Sequence, residues 1–158
     1  MAKQLGFFGQ CRICGRITLT VDFGLNYDGR QLKMFKNYCG FCYWKFVKPV
    51  RRHLTRARSA KVPATLTPEE WAQTIIDFDL SCVYYGEKLR LDRIVVEHFM
   101  PITLGGGTTA NNCVPSCFTC NASKSNTDPL CKDTQFWFAH QEKIPEIKKY
   151  LDTRKNSC

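Results

Sequence analysis

The spacing of apolar and polar residues predicts short helices and short strands along most of the chain. The clearest helix start lies at Thr67, which can cap a helix, with Pro68 at the first helical position and Glu70 completing a capping box. An apolar stripe at positions i, i+4 and i+7 follows, formed by Trp71, Ile75 and Phe78. The stripe predicts a helix that packs on a core, and we expect the segment that follows to supply this core.

A strand and a turn are predicted next. Residues 89–96 form an apolar run rich in β-branched side chains, which favours a strand whose end carries Glu97 and His98. Pairing should stop near Pro101, because proline has no N–H to donate to a neighbouring strand. The glycines at 105–107 allow the chain to reverse at positive φ. A second strand through residues 112–115 would then return beside the first as a β-hairpin.

Helices are predicted after this hairpin. From Phe118 onward the residues favour a helix whose early positions include Asn121, facing back toward the hairpin. Residues 134–142 and 146–153 resemble two weaker C-terminal helices, which we expect Pro145 to separate.

The chain has ten cysteines in 158 residues, a density that indicates disulfides or bound metal. The first ten residues lack the apolar core of a secretory signal, and no segment approaches the ~18 consecutive apolar residues of a membrane span. We therefore expect an intracellular, soluble protein of the cytoplasm or nucleoid, where thiols stay reduced. Cysteines in CxxC pairs are then expected to bind zinc.

Four cysteines near the N-terminus form two CxxC pairs: Cys11, Cys14, Cys39 and Cys42. Each pair places two sulfurs on a tight turn, and two such turns close a tetrahedral zinc site with sulfurs about 2.3 Å from the metal. Residues 18–23 and 31–35, on either side of a turn at 26–29, predict a hairpin between the pairs, as in a zinc ribbon. A redox-active CxxC is the alternative, but that motif is expected singly at a helix start in a βαβ setting, which the sequence lacks.

One later segment combines an acid, a histidine, amide side chains and a CxxC pair. A neutral imidazole with a pKa of about 6.5 can activate water near neutral pH, which makes His98 a candidate base. The carboxylate of Glu97 and the amide oxygen of Asn121 suit a hard divalent cation, which would stabilise the negative charge that develops at a phosphate. The residue types therefore suit metal-assisted hydrolysis of a phosphodiester.

Over residues 80–128 the chain resembles the HNH endonucleases, the ββα-metal or His-Me finger family. The family pattern is acid-His-x-x-Pro, Gly-Gly, Asn, then Cys-x-x-Cys-Asn-x-x-Lys. The resemblance implies that His98 is the general base and that Asn112 braces the loop that carries it. Asn121 would be the third family residue and a metal ligand beside Glu97, which makes the chain a His-Asn-Asn variant. Many members have Asp where Glu97 stands.

HNH relatives often bind a structural zinc through two CxxC pairs, and this chain departs from that pattern. Tyr85 stands where the second cysteine of the first pair is expected. Three thiols remain at Cys82, Cys117 and Cys120, with Cys113 or Cys131 as the candidate fourth ligand. The alternative is that Tyr85 packs into the space that zinc fills elsewhere.

Positive charge is concentrated in the N-terminal part of the chain. Residues 1–61 carry 13 lysines and arginines against two acidic residues, whereas residues 62–158 carry 10 against 12. Residues 45–61 contain no acid, and such a run is either a solvated arm or a segment that contacts phosphate. A linker is expected at 59–66. The candidate DNA contacts are six basic residues: Arg51, Arg52, Arg56, Arg58, Lys61 and Lys124.

These features predict a small α+β zinc protein with two domains. Residues 1–61 would form a zinc-ribbon-like module with a basic DNA-contacting arm, and residues 62–158 a ββα-metal nuclease core flanked by helices. The expected activity is cleavage of duplex DNA with Mg²⁺, Mn²⁺ or a similar ion, in restriction, homing or phage DNA processing, with a phage or mobile element as a candidate origin. Cutting both strands at one place would suit a homodimer on a palindromic site. Two alternatives remain open: a non-catalytic zinc-dependent DNA-binding regulator, and a nuclease that acts on RNA or branched DNA.

Overall fold

The computed structural model describes residues 7–20, 38 and 40–154, and this part of the chain combines helices with two small sheets. The elements are β1 (Phe7–Gln10), β2 (Ile17–Thr20), α1 (Gly40–Cys42), α2 (Lys48–Ser59), α3 (Pro68–Asp77), β3 (Val95–His98), β4 (Cys113–Ser116), α4 (Phe118–Lys124), α5 (Gln135–His140) and α6 (Lys143–Thr153). A π-helical turn, Tyr43–Val47, joins α1 to α2. The fold is α+β, as the sequence predicts. No helix among the described residues has the length and apolar character needed to cross a membrane.

The first sheet is an antiparallel hairpin of β1 and β2 with a cysteine turn at its tip. The N–H of Cys11 donates to the Arg16 carbonyl at 2.9 Å, and the N–H of Gly15 donates to the Cys11 carbonyl at 2.9 Å. Gly15 has a φ of 68°, which glycine adopts without strain. Residues 18–20, which begin the predicted strand at 18–23, pair with β1. The rest of the hairpin predicted over 18–23 and 31–35 lies outside the described residues.

The basic run is a helix and not an extended arm. Val50, Leu54 and Ala57 recur at helical spacing along α2, and Val50 and Ala57 are fully buried. Because this apolar face packs on the core, the lysines and arginines of the run are held on a rigid element. The predicted linker at 59–66 is also partly structured, since Ala64 forms a β-bridge with Thr108.

Helix α3 begins as predicted. The Thr67 hydroxyl accepts from the N–H of Glu70 at 3.2 Å, and the Glu70 carboxylate accepts from the N–H of Thr67 at 2.8 Å. Trp71 and Ile75 are buried in a core that also contains Val96 of β3, and α3 contacts β4. The predicted packing of this stripe against the hairpin is confirmed, although Phe78 lies in a second cluster.

Strands β3 and β4 form the predicted antiparallel hairpin with shifted bounds. Glu97 lies opposite Val114, and His98 opposite Cys113, so both functional side chains lie within β3 and not after it. The predicted strand at 89–96 starts too early because residues 91–93 form a turn. All four residues of β3 pair with the four residues of β4. This pairing therefore determines where β3 begins and ends.

The connection between these strands is a long loop with a 3-10 turn, Ile102–Leu104. Of the three glycines, only Gly105 has a positive φ, of 88°. Gly106 and Gly107 meet a different requirement, because a Cβ at either position would lie within 3 Å of neighbouring backbone oxygen. The expectation that all three serve reversal at positive φ is therefore wrong for two of them.

Two apolar clusters stabilise the described part of the chain. The first joins Cys42, Phe46 and Val50 to Trp71 and Val96, so it crosses the predicted boundary between residues 61 and 62. The second is formed around the helix that follows the hairpin and the C-terminal helices, with these buried members: Cys82, Val83, Tyr84, Phe99, Val114, Cys120, Phe136, Ile144, Ile147 and Leu151. The ββα unit lies between the two clusters and contributes side chains to both.

The C-terminal helices α5 and α6 lie near their predicted positions. Pro145, however, lies inside the first turn of α6 and does not separate two helices. Proline is tolerated there because the N–H groups of a first turn have no partner within the helix.

Candidate active site and metal centres

One polar pocket of about 300 Å³ brings together the residues singled out in the ββα unit. It is lined by Arg56, Glu97, His98, Pro101, Ile102, Asn121, Ala122, Ser125 and Asn126. Glu97 and His98 come from β3, Asn121 from α4, and Arg56 from α2. Neighbouring residues of a strand point to opposite faces. Glu97 and His98 nevertheless both line the pocket, because the pocket lies around the end of β3 and is completed by the loop and the helices.

Glu97 is a buried carboxylate with one cationic neighbour. Its Oε1 lies 2.6 Å from Nζ of Lys124, which is itself buried, with the side chain 1% exposed. Among the described residues, Lys124 is the one partner of this carboxylate. Burial raises the pKa of Glu97 to about 7, although the charge of Lys124 acts in the opposite direction. The effect of burial on the Glu97 pKa is thus larger than the opposing effect of Lys124.

Lys124 lies inside the protein and not on its surface. Its Nζ donates to the His98 carbonyl at 2.8 Å in addition to its contact with Glu97. Both contacts hold the end of β3 against α4. This placement favours a positioning role, because a buried Nζ with these two partners is not presented to DNA.

His98 is buried, and its Nε2 lies 2.8 Å from the hydroxyl of Thr108. Burial lowers the pKa of His98 to about 3, assisted by the nearby His53 and Arg56. The imidazole is consequently neutral at physiological pH, which is the form that a general base requires.

Asn112 holds the two ends of the loop together. Its Oδ1 accepts from the N–H of Met100 at 2.8 Å, while Nδ2 donates to the carbonyls of Met100 at 3.0 Å and Gly107 at 2.8 Å. Both amide hydrogens and the amide oxygen are thus used. The N–H of Phe99 also donates to the Asn112 carbonyl at 2.8 Å. These contacts brace the loop that begins directly after His98.

The donor set of the pocket fits a hard divalent cation. Glu97 and Asn121 offer oxygen atoms, the ligand type that Mg²⁺ and Mn²⁺ prefer. Both side chains line the pocket, and the one described partner of Glu97 is Lys124. These two side chains are therefore the candidates to hold the ion.

We expect the affinity for Mg²⁺ to rise with pH. With its pKa raised to about 7, the Glu97 carboxyl is mostly protonated at pH 6 and mostly ionised at pH 8. A cation binds the ionised form, so binding should weaken by up to about tenfold for each pH unit below 7. Isothermal titration calorimetry with Mg²⁺ at pH 6, 7 and 8 measures this dependence. The Glu97→Gln variant is the control and should lose it, whereas equal wild-type affinities at all three pH values would contradict the assignment.

The first cysteine group lies at the tip of the N-terminal hairpin and the end of α1. The sulfurs of Cys11, Cys14 and Cys42 lie within 4.8 Å of one another, so they can bind one metal ion. Cys39, the predicted fourth ligand, lies outside the described residues. The spacing of the three sulfurs suits tetrahedral thiolate coordination of zinc.

The second group joins Cys82, Cys117 and Cys120, whose sulfurs also lie within 4.8 Å of one another. Sγ of Cys82 and Sγ of Cys120 are 3.6 Å apart. Burial opposes ionisation of Cys117, but hydrogen bonds, including one from the N–H of Cys120 at 3.4 Å, bring the pKa of Cys117 below its usual value. Three thiols are thus held together, and the pKa of one of them is lowered, an arrangement that zinc would complete.

The fourth position of this second group is not filled by Cys113. That residue lies in the first apolar cluster, separate from the three thiols, and burial raises its pKa to about 12. It therefore behaves as an apolar core residue. Cys131 and Tyr85 are both exposed, and the ring of Tyr85 packs edge-on against His140 at 5.1 Å.

Metal analysis distinguishes these sites. We expect the purified protein to contain two zinc ions per chain, as measured by inductively coupled plasma mass spectrometry. The Cys82→Ser variant should retain one, because it removes a thiol from the second group alone. Cys131→Ser is the control, since its exposed thiol belongs to neither group, and it should retain two. A wild-type content of one zinc per chain would contradict occupation of the second site.

The predicted basic contacts lie on or just after α2. Arg51, Arg52, Arg56 and Arg58 are exposed side chains of this helix, and Lys61 is exposed two residues beyond its end. Arg56 differs from the others because it lines the pocket beside Glu97 and His98. Within the described part of the chain, no carboxylate pairs with the Arg56 guanidinium.

Two residues of the site's surroundings escape the sequence analysis. The ring of His53 lies 5.2 Å from that of His98, and the hydroxyl of Thr108 contacts both the His98 ring and the His53 carbonyl. The amphipathic spacing of residues 50, 54 and 57 is a signal that places His53 and Arg56 together on one helix, at i and i+3. A single threonine in a loop carries no comparable signal.

Comparison with known families supports the interpretation of this segment. Residues 82–127 match the family model of the HNH endonucleases, a nuclease-type family. A comparison with curated proteins finds no match to the chain. The matched segment contains β3, β4 and α4 with the pocket residues Glu97, His98 and Asn121, whereas α2 and Arg56 lie outside it. The segment that forms most of the pocket is thus similar to an HNH endonuclease domain.

Proposed function

We propose that the protein is a metal-dependent endonuclease that hydrolyses phosphodiester bonds in duplex DNA. The observation that carries the proposal is the convergence of Glu97, His98 and Asn121 on one pocket, with Arg56 at its edge. A base, two oxygen ligands and a cation for phosphate are the groups that this reaction requires.

In the proposed reaction, neutral His98 accepts a proton from a water molecule as the water oxygen forms a bond to phosphorus. The P–O bond to one sugar oxygen breaks, and this leaving oxygen takes up a proton from solvent. Glu97 and Asn121 hold the divalent ion, which when bound supplies positive charge next to the phosphate. Asn112 keeps the loop in place after His98, and Lys124 keeps Glu97 in its buried position.

Helix α2 is the element that we expect to meet the DNA backbone. Its five basic residues and the absence of acid in residues 48–59 make this helix strongly positive. A rigid helix presents its charges at fixed spacing, and neutralised phosphates release counterions on binding. Because Arg56 lies at the pocket, a duplex bound along α2 would bring one phosphate to Glu97 and His98.

Substitution of Arg56 tests this arrangement. A planar guanidinium can bind two phosphate oxygens at once, and Arg56 is the arginine that lines the pocket. We expect Arg56→Ala to lower kcat about tenfold or more, and Arg56→Lys to retain part of the rate. Single-turnover cleavage of plasmid DNA at several salt concentrations measures both the rate and the affinity.

Arg58 supplies the matched control. It is exposed on the same helix but does not line the pocket. Arg58→Ala should weaken DNA binding and reduce the slope of log affinity against log salt concentration by about one. The rate at which bound DNA is cleaved should be unchanged. Equal losses of kcat in the two variants would contradict a special position for Arg56.

The substrate class is tested by digestion of three substrates side by side. Supercoiled duplex plasmid, a branched DNA junction and a structured RNA are incubated with the protein and Mg²⁺, Mn²⁺ or EDTA. The proposal predicts metal-dependent cleavage of the duplex. Preferential cleavage of the branched DNA or of the RNA would show that this nucleic acid, and not duplex DNA, is the substrate. Binding without cleavage in either metal would favour a DNA-binding regulator.

A further inference from the structure

Thr108 occupies a fixed position in the loop that precedes β4. It is fully buried, and its N–H donates to the Pro63 carbonyl at 2.8 Å. Its carbonyl accepts from the N–H groups of Thr65 and Leu66, both at 3.0 Å. Three backbone hydrogen bonds to the segment after α2 thus determine where the Thr108 side chain lies.

The Thr108 hydroxyl makes two contacts at this position. Its Oγ1 lies 2.8 Å from Nε2 of His98 and 3.2 Å from the carbonyl oxygen of His53. A hydroxyl has one hydrogen to donate, and a carbonyl oxygen can only accept. Without a hydrogen between them, the hydroxyl and carbonyl oxygens would repel each other. The Thr108 hydrogen is therefore directed at His53, and Oγ1 must accept from His98.

This direction of donation determines the state of the His98 ring. If Oγ1 accepts, Nε2 must carry the hydrogen of the neutral imidazole, which leaves the lone pair on Nδ1. We propose that Thr108 is a positioning residue that holds His98 in its Nε2-protonated tautomer, so that Nδ1 is the atom that accepts a proton from water. The catalytic part of this inference rests on the proposed nuclease function, whereas the tautomer does not.

The contact also connects His98 to the N-terminal part of the chain. The His53 carbonyl belongs to α2, which lies outside the segment that matches the HNH model. The His53 ring lies against the His98 ring, and its Nδ1 makes no hydrogen bond with a described residue. Helix α2 thus contributes to the orientation of His98 through its backbone as well as through ring packing.

Nitrogen NMR of the histidine rings tests the tautomer directly at pH 7.5, in the protein as purified and without added Mg²⁺ or Mn²⁺. The spectrum of His98→Gln identifies the His98 signals by their absence. We expect wild-type His98 to show a protonated Nε2 and an unprotonated Nδ1, Thr108→Ser to preserve this pattern, and Thr108→Val to give a mixture of tautomers. A protonated Nδ1 in the wild type, or an unchanged pattern in Thr108→Val, would overturn the proposal. If Thr108→Val does not fold, the wild-type spectrum still decides the matter.

Kinetics separate positioning from general loss of structure. Thr108→Val should lower kcat at least tenfold but by no more than the ~10²–10⁴-fold that a general base supplies, while KM changes by less than about twofold. Thr108→Ser should recover most of the rate. Thr74→Val is the control, because it removes an equally buried hydroxyl that bonds to the Glu70 carbonyl instead of His98, and its kcat should be near the wild-type value. A full rate in Thr108→Val would overturn the positioning role.

The two experiments distinguish failure of this inference from failure of the proposed function. If the protein cleaves no nucleic acid but His98 shows the expected tautomer, the proposed function fails and the structural role of Thr108 stands. If the protein cleaves DNA and His98 carries its proton on Nδ1, the function stands and the inference falls.

Discussion

Substitution of His98 by alanine should lower the rate of Mg²⁺-dependent DNA cleavage by about 10²–10⁴-fold, the contribution expected of a general base. The imidazole is buried and neutral, and it shares its pocket with the two candidate metal ligands. No other described histidine lines that pocket. The measurement is single-turnover cleavage of supercoiled plasmid at saturating protein and Mg²⁺.

Affinity for DNA should be nearly unchanged in His98→Ala, since the basic face of α2 is untouched. His140→Ala is the matched control, because it removes a second buried imidazole that packs against Tyr84 and Phe136 away from the pocket. This control is expected to lose stability but to retain the rate per folded molecule. Equal rate losses in the two variants would indicate that burial, and not base catalysis, explains the effect.

Substitution of Gly106 by alanine should be among the most destabilising single changes in the chain. A Cβ at this position would lie 1.8 Å from the Met100 carbonyl oxygen and 2.9 Å from Nδ2 of Asn112. The backbone must move to relieve this overlap, and the Asn112 brace would then be lost. We expect a loss of about 3 kcal/mol or more in the free energy of unfolding, equivalent to a fall in Tm of roughly 6–12 °C in a chain of this size.

Thermal unfolding followed by circular dichroism measures this loss. Gly40→Ala is the control, because a Cβ there would meet no atom within 4 Å and the residue does not require positive φ. It should change Tm by no more than a few degrees. A Gly106→Ala variant as stable as the wild type would show that the loop does not hold Met100 against Gly106 in solution.

The sequence predicts the local parts of this fold well because their signals lie close together in the chain. The capping box at Thr67 and Glu70 specifies the start of α3 without help from tertiary contacts. The ββα unit is likewise predictable from Glu97, His98 and the glycines that follow, since strand, loop and helix are consecutive. Strand bounds are less accurate because pairing between β3 and β4, and not local preference, determines them.

The parts that escape prediction depend on contacts between distant residues. A lysine at the end of a short helix resembles a solvated charge, but Lys124 is buried because Glu97 and the His98 carbonyl lie beside it. Composition marks residues 45–61 as basic, but only packing of its apolar face brings Arg56 to the pocket. The contact between Thr108 and His53 joins residues 55 positions apart and has no local signature.

The shared core gives the N-terminal part a role beyond charge. The cluster that buries Cys42 and Phe46 also buries Trp71 and Val96, and Val96 directly precedes Glu97 in β3. Folding of the N-terminal part and positioning of the pocket are thus connected through one set of apolar contacts.

We propose that the pocket of Glu97, His98 and Asn121 hydrolyses phosphodiester bonds with the help of a divalent metal ion. Its most direct test is the conversion of supercoiled plasmid to nicked and linear forms by wild type and His98→Ala, each with Mg²⁺ or EDTA, scored on gels over time. We expect conversion by the wild type in the presence of Mg²⁺, and little or none in the other three reactions. Equal Mg²⁺-dependent conversion by wild type and His98→Ala would contradict it.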